Sequence, residues 1–206
     1  MNTQEEAVVH VYRDDIRSRM GMWLFLFSEL LLFGGLFFIY SVYRFMHQQD
    51  FSIASKEMNI FLGTLNTVIL LTSSLTMALS IVAMQKGKKG LSIFYQVVTI
   101  LFGLTFIVNK IIEWSHEFNA GNFPGSEVLS SRPPGQILYF GLYFSMVGLH
   151  GLHVLVGMSV IGFMTVFTIR NKITQDNYVK LEAAGLYWHL VDIIWIFLYP
   201  LFYLIT

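Results

Sequence analysis

The chain has 206 residues, of which 55% are hydrophobic and only 13% are charged. Soluble domains are about one quarter charged, so this composition argues against a soluble fold and is typical of a polytopic membrane protein. Thirteen basic residues balance thirteen acidic ones, which gives no reason to expect a nucleic-acid partner, and the absence of cysteine excludes disulfides, thiolate metal sites and cysteine catalysis.

Several apolar segments are long enough to cross a bilayer, which takes about 20 residues at ~1.5 Å rise each. They are expected to be helices, because an open strand in lipid would leave its backbone groups unpaired. The fourth is so long that it must tilt or project into water. The sequence therefore predicts an all-α integral membrane protein with one membrane domain over 1–206. Its five predicted helices cover residues 20–43, 59–84, 91–112, 137–169 and 185–205.

The distribution of lysine and arginine predicts how these helices are oriented. Short loops rich in basic residues stay in the cytoplasm, and nine of the thirteen basic residues fall on one side of the predicted bundle. That side comprises 1–19, 85–90 and 170–184, and the other side comprises the outer loops 44–58 and 113–136. We therefore expect the N-terminus to be cytoplasmic and the C-terminus to lie outside. The polar start does not resemble a signal peptide and is expected to be retained.

Glu29 lies about 14 Å along the first predicted helix, near the middle of a ~30 Å hydrocarbon core. An ionisable group there costs on the order of 3 kcal/mol to insert, so we expect it to be protonated or hydrogen-bonded to a neighbouring helix. A proton-relay acid, a ligand for a coupling ion and a structural hydrogen-bonding group all fit this position.

Three histidines and one carboxylate lie in the last two predicted helices, and a second carboxylate shortly precedes the last one. His150 and His153 stand three apart on one helical face. His189 and Asp192 repeat that spacing, with Glu182 one heptad before His189. If the two faces meet, their nitrogen and oxygen atoms are of the right type and number to bind zinc or non-haem iron. Hydrogen bonding between helices is the simpler interpretation, and an i, i+3 pair does not supply a bis-histidine haem site.

Tryptophan and arginine side chains are candidates for lipid contact or for packing. Trp188 fits an interfacial anchor, whereas Trp195, nearer the middle of the last helix, fits packing or lipid contact. Arg170 could meet anionic lipid head groups, and Trp23 belongs to the same set of candidates.

The second predicted helix is rich in small polar residues. Such residues let helices approach closely, and their hydroxyl groups can form hydrogen bonds across the contact. We expect this helix to be packed against others in the bundle. The residues are Asn66, Thr67, Thr72, Ser73, Ser74, Thr76 and Ser80.

Four motifs follow one another along the chain: Gly21-Met-Trp-Leu-Phe-Leu-Phe-Ser-Glu, Leu65-Asn-Thr-Val-Ile-Leu-Leu-Thr-Ser-Ser, His150-Gly-Leu-His-Val, and Glu-Ala…Tyr-Trp-His-Leu-Val-Asp at 182–192. Together they resemble, over nearly the whole chain, subunit III of the haem–copper oxidases in its short five-helix form. The resemblance places the buried membrane carboxylate of that family at Glu29. Longer members have two more N-terminal helices, which form a lipid-filled cleft with the rest, and the short form is expected to lack both.

The resemblance implies a non-catalytic subunit of a proton-pumping aa3-type cytochrome c oxidase in a bacterial cytoplasmic (inner) membrane. Such subunits bind oxidase subunit I as their main contact, and also subunit II, and they hold structural phospholipids. They keep subunit I from inactivating during turnover and support proton uptake. Haem a, haem a3 and copper are expected in the partner subunits, with no cofactor in this chain, and a respiratory supercomplex is a further candidate partner.

Other assignments stay open at the level of sequence. The Ser-Glu pair and the Tyr-Trp-His…Asp signature resemble a cytochrome c oxidase more than a quinol oxidase, yet subunit III of a quinol oxidase or of a complex related to nitric oxide reductase also fits. An independent proton- or cation-coupled transporter would use Glu29 and Asp192 as its ion-carrying acids and would purify alone. A metal-dependent membrane enzyme would carry iron or zinc in the isolated chain.

Overall fold

The computed structural model describes the backbone of residues 3–175 and 177–205, and within those ranges the side chains from residue 19 onward. Its regular structure is helical apart from one isolated antiparallel bridge between Thr174 and Asn177, and no β-strand occurs in these ranges. The helices are α1 (Thr3–Met46), α2 (Gln48–Ser55), α3 (Ile60–Gln85), α4 (Lys89–Asn119), α5 (Glu127–Ser130), α6 (Pro134–Ile169) and α7 (Val179–Tyr203).

Five of these helices, α1, α3, α4, α6 and α7, are long and apolar enough to cross a membrane. In α1 the qualifying part is Arg19–Met46. The predicted all-helical integral membrane fold with five spans is thereby confirmed. The helices alone do not fix which side of a membrane each end faces, so the cytoplasmic N-terminus stays a prediction.

Several helices extend beyond their predicted ends. α4 continues to Asn119, past the predicted end at residue 112, and α7 begins at Val179 rather than at 185. The predicted outer loop 44–58 contains the short helix α2. Apolar segments underestimate helix length because hydropathy marks only the part that suits lipid, whereas backbone hydrogen bonds continue into polar sequence.

The helix at the centre of the bundle is α7. Of its apolar stretch 56% is buried, compared with 11% for α1. α7 packs against α1, α3 and α6, and α4 closes the bundle by packing against α3 and α6. α3 and α4 form an antiparallel hairpin whose tight turn includes Gly87 at a φ of 70°, a conformation that favours glycine. α1 is therefore the least enclosed spanning helix.

The C-terminal end of α7 is tied to three other helices through its backbone. The last carbonyl groups of a helix have no partner within the helix and need donors from elsewhere. Here the donors are side-chain hydroxyl groups of α1, α2 and α6, so the end of α7 is held in place. The bonds run from Tyr40 to Leu201, from Ser55 to Ile205 at 3.2 Å and from Tyr139 to Phe202 at 2.6 Å.

Candidate functional site

Glu29 and His153 form a pair between α1 and α6. The distance from Glu29 Oε2 to His153 Nε2 is 2.8 Å, and the two side chains are 16% and 13% exposed. His153 Nδ1 lies 2.7 Å from the carbonyl oxygen of Leu149, which can only accept, so Nδ1 carries a hydrogen. The bond to Glu29 then needs one proton, held either by the carboxyl group or by Nε2. In both forms the pair is neutral overall, which suits its depth in the membrane.

Replacing Glu29 by leucine is expected to lower the free energy of unfolding by about 1–3 kcal/mol, because a mostly buried His153 nitrogen loses its partner. Glu29→Gln should cost less, since its amide can donate to Nε2. Chemical unfolding in mild detergent measures both. Ser28→Ala is the matched control, because that exposed hydroxyl bonds only to its own helix. If Glu29→Leu proved as stable as the control, the pair would have no structural role.

His189 is bonded to α3 and not to the His150/His153 face. Its Nδ1 lies 2.7 Å from Ser74 Oγ. The same ring lines a cavity of about 330 Å³ between α1, α3 and α7, which also contains Arg19, Trp23 and Glu182 in its wall. Arg19 and Glu182 form an ion pair there, with 3.1 Å between Nη2 and Oε2. His189 and Glu182 thus share one cavity, as their heptad spacing on α7 allows.

Within the described part of the chain, His150 and Asp192 are buried without hydrogen-bond partners. His150 is wholly buried, and its ring packs against Phe106 and Trp195 with centroids 5.6 and 5.3 Å away. Asp192 is 2% exposed. Among the described residues, no group bonds to either ring nitrogen of His150 or to either carboxyl oxygen of Asp192. The interhelical hydrogen bonds expected for these two residues are therefore not made within this part of the chain.

The two polar faces thus use different neighbours. His153 pairs with α1 through Glu29, whereas His189 pairs with α3 through Ser74. Within residues 19–175 and 177–205, no group of three or more His, Cys, Asp or Glu side chains is placed to hold a metal ion. Chemically, these histidine and carboxyl side chains can hold protons and form hydrogen bonds that join helices.

Trp188 is a packing centre rather than an interfacial anchor. It is wholly buried, and its Nε1 donates to Ser73 Oγ on α3 at 3.0 Å. Its ring lies against the backbone of Gly103 on α4 and Gly157 on α6, where an added Cβ would stand 2.9 and 2.8 Å from ring carbons. Only glycine leaves room for the ring at these positions. One side chain of α7 therefore contacts three helices.

The other tryptophan and arginine candidates divide between packing and exposure. Trp195 is wholly buried, with Nε1 donating to Thr67 Oγ1 on α3 at 3.0 Å. Trp23 is 62% exposed, and Arg170 lies exposed at the end of α6. Trp23 and Arg170 thus stay available for lipid, whereas Trp195 does not.

A buried ionic cluster on α4 was missed from the sequence. Lys110 and Glu113 are 6% and 3% exposed, with 3.0 Å between Nζ and Oε2. Tyr143 OH donates to Glu113 Oε1 at 2.5 Å, and Tyr203 OH bonds to the same oxygen and lies 2.5 Å from Lys110 Nζ. The ammonium group also lies 4.5 Å from the ring centroid of Trp195. The i, i+3 spacing of Lys110 and Glu113 was the available signal, but the predicted helix ended between them.

The fold and these groups define a polytopic helical membrane protein that places several ionisable side chains between its helices. Residues 6–206 match the protein family described as cytochrome c oxidase subunit III. The chain therefore belongs to that family, the third subunits of the haem–copper oxidases, and the resemblance found in its motifs is confirmed. Membership makes it a multi-pass membrane protein and a non-catalytic subunit of an oxidoreductase complex.

Curated relatives agree with this assignment. A protein of Staphylococcus haemolyticus named "Probable quinol oxidase subunit 3" is 31% identical over 192 residues, covering 91% of this chain and 89% of the relative. Proteins of the same name from Staphylococcus saprophyticus and Staphylococcus aureus are 30% and 29% identical over 190 residues, with the same coverage of both chains. The relatives match this chain along nearly its whole length.

Proposed function

We propose that this chain is the subunit III of a proton-pumping terminal oxidase in a bacterial cytoplasmic membrane. In this role it stabilises the subunit that carries haem and copper, binds structural phospholipids and supports proton uptake. Oxidase subunit I is its main partner, with subunit II beside it. Haem a, haem a3 and copper then belong to those partner subunits.

The observation that carries this proposal is the incomplete burial of the Glu29–His153 pair. Both side chains keep some exposure, 16% and 13%, on the least enclosed part of the bundle. Polar groups at membrane depth rarely face lipid, because lipid offers them no hydrogen bonds. A protein surface that covers the junction of α1 and α6 removes this cost. We therefore assign that junction to the contact with subunit I.

The electron donor is assigned from the relatives. The names of these relatives favour a quinol oxidase, although the sequence motifs alone predicted a cytochrome c oxidase. We propose quinol as the donor. Cytochrome c is the second candidate, favoured by the Tyr-Trp-His…Asp signature and by the description of the family.

Purification of the tagged chain in mild detergent tests the assignment. We expect haem absorbance in the visible spectrum and two larger oxidase subunits, at equal stoichiometry by mass spectrometry. Turnover of that preparation with a reduced quinol but not with reduced cytochrome c would support the proposed donor, and the reverse would favour cytochrome c. A colourless chain that purifies alone, under conditions that keep oxidases intact, would contradict the proposal and support an independent transporter.

A further inference from the structure

Asp192 is an isolated buried acid. It is 2% exposed, and neither carboxyl oxygen has a partner among the described residues. Of the helices packed against α7, α3 contains no titratable side chain at all. On α1 and α6 the neighbouring ionisable side chains are the Glu29–His153 pair and His150, whose ring is enclosed by Phe106 and Trp195. α4 also reaches α7, and its buried cation Lys110 lies against Trp195 but is paired with Glu113. No described cation therefore neutralises Asp192, and an unpaired buried charge is too costly to persist.

One hydroxyl group connects Asp192 to the rest of the structure. Ser74 of α3 neighbours the carboxyl group of Asp192, although neither carboxyl oxygen has a hydrogen-bond partner among the described residues. The same Ser74 Oγ is bonded to His189 Nδ1 at 2.7 Å. His189 precedes Asp192 by three residues on α7, so both side chains lie on one face of the helix. A hydrogen bond between Ser74 and Asp192 would link His189, Ser74 and Asp192 in series.

His189, the outermost of these three groups, lies at a cavity. His189 lines the space of about 330 Å³ that also contains Arg19 and Glu182 in its wall. Nε2 of His189 has no partner among the described side chains and is not enclosed by protein. The Arg19–Glu182 ion pair lies at the end of the bundle that the basic residues assign to the cytoplasm, where both side chains are open to water, 57% and 27% exposed.

We propose that Asp192 is a proton-exchanging carboxyl group, loaded from the Arg19–Glu182 cavity through His189 and Ser74. A hydronium ion in the cavity gives a proton to Nε2 of His189 and is left as water. The Nδ1 hydrogen then passes to Ser74 Oγ, whose own hydroxyl hydrogen passes to a carboxylate oxygen of Asp192. One proton enters and one is delivered, and the reverse sequence returns it. The proposal gives the chain a proton-binding site that is separate from the Glu29–His153 pair.

This inference goes beyond the proposed function and depends only on contacts within the chain. It does not require a particular electron donor or a contact with subunit I. Its test is therefore chosen to be independent of oxidase turnover, so that its failure leaves the assignment as subunit III intact.

Infrared spectroscopy of the purified, membrane-reconstituted complex tests the proposal. A protonated carboxyl group gives a carbonyl stretching band that shifts when the proton is exchanged for deuterium. We expect a band that is absent in Asp192→Asn. Its exchange after transfer to heavy water should be slowed roughly tenfold or more in both Ser74→Ala and His189→Gln, because each removes a proton-carrying step. Ser73→Ala is the matched control, since its hydroxyl serves Trp188, and should exchange at the parent rate.

Three results would overturn the proposal: an unchanged carboxyl spectrum in Asp192→Asn, parent-rate exchange in Ser74→Ala and His189→Gln, or equal slowing in Ser73→Ala. The last would indicate a general change in packing. If Asp192→Asn failed to assemble, the exchange rates of Ser74→Ala and Ser73→Ala would still test the proposal. Both variants keep Asp192, so its carboxyl band can be followed in each complex.

Discussion

Replacing Glu113 by glutamine should lower the free energy of unfolding by about 3–5 kcal/mol, the range found when one partner of a buried ion pair is removed. Lys110 Nζ lies 3.0 Å from Glu113 Oε2, and both side chains are nearly inaccessible. Without the carboxylate, the ammonium group has neutral neighbours among the described residues, namely Tyr203 OH, the new amide oxygen and the aromatic rings around it, and no charge compensates its own. Chemical unfolding of the detergent-solubilised chain measures the loss.

The double variant Lys110→Met with Glu113→Gln separates charge from packing. It removes the unpaired charge, so we expect it to recover most of the stability lost in Glu113→Gln. Glu127→Gln, at an exposed position on α5, is the matched control and should lie within about 0.5 kcal/mol of the parent. A double variant as unstable as the single one would show that the hydroxyl network, and not the ion pair, stabilises this region.

Trp188→Ala should cost about 3–5 kcal/mol, as for other large aromatic side chains removed from a packed interior. The ring fills the space left by Gly103 and Gly157 and donates to Ser73, so its loss opens a cavity between four helices. Trp188→Phe keeps most of the ring and loses the hydrogen bond, which in membrane proteins is worth about 0.6–1.7 kcal/mol. The same unfolding measurement applies to both variants.

Phe163→Ala provides the comparison for an aromatic residue that faces outward. Phe163 is 64% exposed on α6, so its removal should change the stability of the solubilised chain by no more than about 0.5 kcal/mol. Equal losses for Trp188→Ala and Phe163→Ala would contradict the central position assigned to Trp188.

Composition and hydropathy sufficed to predict the five spanning helices, because the length and apolarity of a membrane helix are local properties of the chain. The sequence also showed polar residues on both α3 and α7, and these include the side chains through which the two helices contact each other. Which side chains meet depends on how each helix is rotated, and no local pattern specifies that. The sequence placed Glu29 and His153 in the membrane, but it could not pair residues 124 positions apart.

The cluster around Lys110 and Glu113 shows a second limit of prediction from the sequence. The predicted third helix ended at residue 112, so these bounds placed Lys110 in its last turn and Glu113 at the start of an outer loop. Tyr143 and Tyr203, which bond to Glu113, come from two other helices. Four polar residues from three helices become one site only when those helices pack, and each alone reads as an ordinary residue near a helix end.

The position of α7 at the centre of the bundle has a consequence for how the protein is made. α7 is synthesised after the helices that surround it, so they enter the membrane before their partner exists. Their polar groups tolerate this delay: Ser73 and Thr67 donate to carbonyl groups of their own helix, and Lys110 and Glu113 are paired within α4. These four side chains therefore have hydrogen-bond partners within their own helices before α7 is inserted. The arrival of α7 then adds the indole bonds of Trp188 and Trp195 and joins separately inserted helices into one bundle.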